Sequence, residues 1–367
     1  MGLPRRVFEG RVERLWRSCS EMGLDSTAIV SFDGSDRANL YYLTGFTGST
    51  GVLVVAGEHR VLLVDGRYAE QASGESAVPV MGVGSGLLRA AVGLLSDLGC
   101  RSVGLNFDRV SLSVARRMES QGAFELRDVS SLLKGLRRRK APEEVSAIER
   151  ACALAEEALR RALSRARPGM REVEFEAILQ FEIRALGGEP AWGSFIVASG
   201  PRGSMPHGRA SAREIGLEEV VTVDFGVRVD GYVCDVTRNF CFGRVPFRMA
   251  EVSRAVMEAH LSSLELLRAG ASAKELFLRA QEVLKGFGLS DHFVHSLGHG
   301  IGLDVHEDPL LSGESEHVLE EGDVVTIEPG VYLEGLGGVR IEDDYLVLEG
   351  GFRRLSRFWD EPVTVLE

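Results

Sequence analysis

Two segments of this chain place a carboxylate inside an apolar, β-branched run, and they match each other. Val220-Val221-Thr222-Val223-Asp224-Phe225-Gly226-Val227 parallels Val324-Val325-Thr326-Ile327-Glu328-Pro329-Gly330-Val331. An ionised carboxylate in such a strand is costly unless it is paired or bound to a metal. Each segment runs on to an acid-glycine turn, Asp230-Gly231 and Glu334-Gly335, and then to a second acid. Asp235 follows Asp224 by 11 residues, and Glu342 follows Glu328 by 14. A hairpin in each copy folds the second acid back beside the first, so four carboxylates converge. Such a group demands cations. Carboxylate and imidazole ligands suit Mn, Co, Zn or Fe, and shared carboxylates favour two ions about 3.5–4 Å apart.

The imidazole has an obvious source. Five of the eight histidines fall within residues 292–317. His299 stands in G-H-G-I-G, where glycines allow close backbone approach to a ligand, and is the candidate fifth ligand. His207, in Met205-Pro206-His207-Gly208, and His306 are candidates for non-ligand groups that donate to developing negative charge. His59, His260 and His317 read as structural or surface residues.

These side chains need a scaffold. Short apolar runs at 26–32, 51–56, 60–64, 78–83 and 101–106 alternate with helical patterns at 87–98 and 112–120, which predicts an α/β domain over residues 1–136. The basic run Arg137-Arg138-Arg139-Lys140 reads as a solvated linker, and Pro142 with Glu143 and Glu144 as a helix start. Beyond it, residues 137–367 carry helical patterns at 143–166, 172–186, 248–267 and 273–287, with strands at 195–198, 220–229, 232–242, 323–333 and 339–348. Two copies of a helix-helix-hairpin unit predict an α+β domain with pseudo-twofold symmetry and a site between its halves.

The net charge of −12 disfavours a nucleic-acid partner. No window is apolar enough to span a membrane, and residues 1–24 lack the apolar core of a signal peptide, so a cytoplasmic location is expected. The five cysteines, odd in number and without C-x-x-C, read as small buried hydrophobes rather than a disulfide framework.

The motifs P-H-G, V-D-F-G, C-D-V-T-R, H-S-L-G-H-G-I-G-L-D-V-H-E, I-E-P-G and R-I-E-D together resemble the creatinase, aminopeptidase P and prolidase group of metallopeptidases. The resemblance implies a creatinase-like N-terminal domain and a "pita-bread" catalytic domain holding two divalent ions, with Mn first and Co, Zn or Fe as alternatives. It implies that Asp224 holds one ion, that Asp235 and Glu342 bridge both, and that His299 and Glu328 complete the second. A bridging hydroxide is then the nucleophile, and Glu328 the proton shuttle. His207 and His306 bind substrate and stabilise the tetrahedral intermediate, His295 lines a proline pocket, and Arg340 and Thr237 orient ligands. A homodimer is implied as well.

Within that group, aminopeptidase P takes peptides with proline second, and prolidase takes Xaa-Pro dipeptides. Prolidases resemble one another in an Arg between the second histidine and the I-E-P-G strand, where it can clamp the free carboxylate. No Arg or Lys lies between His306 and Glu328 here. The runs T-G-F-T-G-S-T-G at 44–51 and D-G-R-Y at 65–68 also look more like aminopeptidase P. The expected activity is therefore Xaa-Pro aminopeptidase, with Xaa-Pro dipeptidase as the alternative. A non-catalytic peptide- or partner-binding protein of the same fold is a third reading, which the intact ligand set opposes.

Overall fold

The computed structural model describes residues 3–367. They form two compact units, one ending at Arg137 and the other spanning Arg138–Glu367.

The first unit is built on a six-stranded sheet of β1 (Ser26–Ser31), β2 (Gly51–Ala56), β3 (His59–Asp65), β4 (Val80–Val83), β5 (Ser102–Leu105) and β6 (Glu125–Asp128), in the order β4-β3-β2-β1-β5-β6. β1 and β2 are buried at every position, as expected of central strands covered on both faces. The helices Leu87–Asp97 and Leu112–Gln121 contribute Val92, Leu95 and Met118 to a core shared with Val30, Val54 and Leu63. The helix Arg5–Glu21 and strand β6 are absent from the sequence-based reading. In the helix, Arg11 is buried, donates to the Tyr42 carbonyl at 3.0 Å and lies over the Tyr42 ring, so a charged residue occupies a core position and masks the apolar period. β6, Glu-Leu-Arg-Asp, is mostly exposed and offers no apolar signal.

The second unit repeats one plan. The helices Pro142–Leu163 and Glu172–Ala185 precede β7 (Glu189–Pro190), β8 (Ile196–Ser199), β9 (Val220–Val229) and β10 (Tyr232–Phe242). The helices Phe247–Leu264 and Ala273–Gly286 precede β11 (Gly298–Gly300), β12 (Glu307–Leu311), β13 (Val324–Ile327), β14 (Gly330–Leu333), β15 (Gly337–Arg340), β16 (Asp343–Leu348) and β17 (Gly351–Arg354). β18 (Thr364–Leu366) returns to the first half, giving sheets β18-β10-β9-β7, with β8 also on β9, and β12-β11-β13-β16-β17; β14 and β15 pair separately.

The two halves differ where the ligand candidates sit. In the first, β9 and β10 form an unbroken ladder with Asp224 opposite Thr237 and Asp235 opposite Gly226. Opposed residues share a face and alternate positions return to it, so Asp224, Thr237 and Asp235 point the same way. In the second, the expected continuous strands 323–333 and 339–348 are each broken. β13 pairs β11 and β16, whereas β14 pairs β15. Pro329, which lacks an N–H and cannot continue a central ladder, stands at the first break, and Ile341-Glu342 at the second. Glu328 and Glu342 therefore project from interruptions rather than from a hairpin.

The basic run is not a solvated linker. Arg137 and Lys140 are buried, and Arg138 forms a two-pronged pair with the fully buried Asp323 at 2.9 and 2.8 Å; Arg139 alone stays exposed. All five cysteines are buried free thiols.

Gly298 lets β11 approach β13: a Cβ there meets the Thr326 carbonyl oxygen at 2.0 Å. That neighbour is backbone and cannot yield. Gly298→Ala should cost about 1–3 kcal/mol, whereas Gly350→Ala, with open space around it, should stay within about 0.5 kcal/mol. Urea denaturation midpoints in the presence of chelator test this, and a wild-type midpoint for Gly298→Ala would refute the packing.

Candidate metal centre

The two halves bring Asp224 and Asp235 from the β9–β10 ladder together with His299 on β11, Glu328 just after β13 and Glu342 just before β16. Thr237 joins them. It bridges to Glu342 across the two sheets, its hydroxyl donates to Glu342 Oε2 at 2.6 Å, and it accepts from Arg340 Nε at 3.0 Å. Arg340 Nη2 meets Asp224 Oδ2 at 2.5 Å. His299 Nε2 lies 3.4 Å from Glu328 Oε1 and 3.9 Å from Asp235 Oδ2. Asp235, His299 and Glu342 each present a ligand atom within 4.8 Å of the others, and all three are buried.

Four carboxylates thus crowd around one guanidinium, an excess of three negative charges if all ionise. Burial, then Glu342 and Asp224, push Asp235 well above the usual carboxylate range. Burial, then Glu328 and Asp224, do the same to Glu342. Burial drives Glu328 up to about 8 against the opposing pull of Arg340. Burial also lowers His299 to about 4. Its Nδ1 is 3.0 Å from the Gly300 carbonyl and must carry the proton, which leaves the Nε2 lone pair aimed at carboxylate oxygens. Asp235 Oδ1 is buried without a hydrogen-bond partner. Acceptors facing acceptors, with an orphaned carboxylate oxygen among them, are the donor set of a divalent cation.

A second group lines one side. His295 accepts from the Tyr332 hydroxyl at 2.9 Å, through Nε2, and Tyr332 accepts from Arg340 Nη1 at 2.6 Å. Burial lowers His295 to about 4. The His306 ring is 4.3 Å from the His299 ring. His207 is exposed on its loop, next to Pro206, whose carbonyl accepts from Arg340 Nη1 at 3.4 Å. The loop is fastened by Glu172, fully buried in the first turn of its helix. Glu172 accepts from the backbone and hydroxyl of Ser199 at 2.8 and 2.7 Å, from those of Ser211 at 3.0 and 2.7 Å, and from Arg202. The sequence reading missed Glu172 and Tyr332. A first-turn glutamate is indistinguishable from an ordinary helix-start acid, and a strand tyrosine from a core residue. A separate groove of about 600 Å³, lined by Arg139, Lys140, Pro142 and Arg353 among others, shares no residue with this cluster.

Residues 146–349 match the family described as Metallopeptidase family M24. The chain belongs to that family. Residues 11–139 match the Creatinase/Prolidase N-terminal domain. A Xaa-Pro dipeptidase of Pyrococcus furiosus is 34% identical over 348 residues, covering 95% of this chain and 97% of that protein. Among solved structures, an X-Pro aminopeptidase from Thermotoga maritima is 35% identical with TM-score 0.90, covering 95% of this chain and 100% of that one. A Xaa-Pro dipeptidase from Bacillus anthracis is 32% identical with TM-score 0.92, covering 98% and 100%. The creatinase-type N-terminal domain and pita-bread catalytic domain expected from the motifs are thereby established, and the M24 chain is a hydrolase whose family implies divalent metal ions.

The shifts give a pH signature for the chelated M24 protein. Glu328 titrates at about 8 when folded, against an ordinary value of 4.5, and Asp235 and Glu342 move the same way. Their stabilisation is complete at low pH and is lost as pH rises through the folded values. His295 and His299, lowered from 6.5 to about 4, act oppositely and only below pH 6.5. Chelated protein should therefore lose thermal stability between pH 6.5 and about 8, and the metal-loaded protein should not. Scanning fluorimetry in the two states checks this; a flat chelated profile would contradict protonated buried carboxylates.

Proposed function

We propose that this chain is a dinuclear metal-dependent Xaa-Pro aminopeptidase that removes the N-terminal residue of peptides with proline at the second position. Asp224 would hold one ion, Asp235 and Glu342 both, and His299 and Glu328 the second. Mn is the first choice, and Co, Zn or Fe are compatible with the same oxygen and imidazole donors. When bound, the ions supply the Lewis acidity that makes water nucleophilic near neutral pH and polarises the scissile carbonyl.

The chain's own residues do the rest. Glu328, 3.4 Å from His299 Nε2, would pass a proton to the leaving proline nitrogen. His207 and His306 would donate to the oxygen that gains charge. His295, hydrogen-bonded to Tyr332, would form part of the wall against the proline ring. Arg340 and Thr237 fix the rotamers of Asp224 and Glu342. The substrate is a small peptide, in a cytoplasmic homodimer that engages neither nucleic acid nor membrane; among the described residues no helix is long and apolar enough to cross one.

The observation that carries aminopeptidase over dipeptidase is the state of the cations. A dipeptidase must hold a free carboxylate beside the proline ring. Arg340 directs four of its five N–H donors at Asp224, Thr237, Tyr332 and the Pro206 carbonyl. No Arg or Lys lies between His306 and Glu328. The dipeptidase reading draws its support from the named activities of the Pyrococcus and Bacillus relatives.

Comparison of kcat/KM for Ala-Pro-Ala and Ala-Pro on Mn-loaded enzyme separates the two. An unmade hydrogen bond to a charged group corresponds to about 10–100-fold, so the tripeptide should lead by that factor. Preference for the dipeptide would make the chain a prolidase.

A further inference from the structure

Lys140 is buried. Its side chain is 1% exposed and its Nζ is 3.2 Å from Glu307 Oε2, in a carboxylate that is itself 8% exposed. Burying an ion pair costs desolvation that only good geometry repays, so the pair calls for a reason. The other carboxylate oxygen supplies one: Glu307 Oε1 accepts the backbone N–H of Leu303 at 2.9 Å and of Asp304 at 3.0 Å. Glu307 thereby closes the loop 302–307 on itself. A Cβ at Gly302 would stand 2.8 Å from the same carboxylate, so the group also fills the space inside the loop. Residues 301–306 belong to no strand or helix. Further ties hold the segment, from Val233 N–H to the Gly302 carbonyl and from Arg228 to the Leu303 carbonyl. His306 ends it, exposed, with its ring against His299. At its other end Lys140 is fixed by its own N–H to the Gly322 carbonyl at 2.8 Å.

We propose that Lys140 is a positioning residue for the peptidase reaction: by anchoring the Glu307 carboxylate it sets the loop 302–306 and so the place of the His306 ring beside His299. The role rests on the reading of His306 given above. A shift of about 1 Å in a donating group is enough to cost one to two orders of magnitude in rate. Lys140 thus acts on turnover through a loop it does not belong to.

The test is a double-mutant cycle of Lys140→Met and His306→Ala on Mn-loaded enzyme, read by kcat and KM for Ala-Pro-Ala, metal content, and hydrogen exchange of the segment 301–306. Lys140→Met should lower kcat about tenfold with little change in KM or metal content, and speed exchange at 301–306 but not at 324–327. In the His306→Ala background it should cost less than about twofold, because coupled residues are not additive. Lys140→Arg keeps the charge and serves if the Met variant does not fold; it should retain most of kcat and of the loop's protection. An equal loss from Lys140→Met in both backgrounds, unchanged exchange at 301–306, or an Arg variant as impaired as the Met variant would each overturn the proposal. If His306→Ala itself leaves kcat intact, the reading of His306 has failed, and the exchange result alone decides whether Lys140 sets the loop.

Discussion

Mutual repulsion among Asp224, Asp235, Glu328 and Glu342 is the constraint around which the catalytic unit is arranged. Their burial deprives them of water, and one guanidinium, that of Arg340, stands among them. Asp235, Glu328 and Glu342 are driven toward their protonated forms unless they meet a cation, and Asp224 pairs with Arg340. Surrounding residues make the strained arrangement specific. Thr237 and Arg340 hold oxygen atoms of Glu342 and Asp224 in place. Behind them, Asp344 accepts the Asp235 backbone N–H at 3.2 Å. Arg238 donates to the carbonyls of Thr237 and Glu342 at 2.8 and 2.7 Å while pairing with buried Asp343. The strands that bear the acids are thus fastened to each other by charge-assisted bonds on the face away from the site.

Two loops complete the opening, and each is held by a glutamate carboxylate. Glu172 gathers Ser199, Arg202 and Ser211 around the His207 loop, and Glu307 gathers Leu303 and Asp304 around the His306 loop. The pattern has a physical basis. A loop has no ladder to satisfy its N–H groups, and a carboxylate accepts several at once.

The ligand candidates were legible from sequence because they lie in a repeat: a strand acid is anomalous once, and twice in matched contexts it is a signal. The central strands of both units were legible for a similar reason, since runs such as Gly51–Ala56 and Val220–Val229 are continuous and apolar. The interruptions at Pro329 and Glu342 were not. The apolar pattern continues through them, and only the pairing partners reveal that one run serves two sheets. Lys140 was misread because a run of four basic residues carries no mark of which member is buried. Arg11 hid a helix in the same way, as its aliphatic stem and stacked guanidinium fill a core position that hydropathy assigns to solvent.

The dependence of the site on cations is open to direct measurement. Protein reconstituted with Mn²⁺, passed through a desalting column and analysed by inductively coupled plasma mass spectrometry should hold two ions per chain, and Asp235→Asn, folded by circular dichroism, should hold markedly fewer. Wild-type protein that emerges folded with no bound ions, or an Asp235→Asn variant with the full complement, would contradict a centre built by these carboxylates for metal.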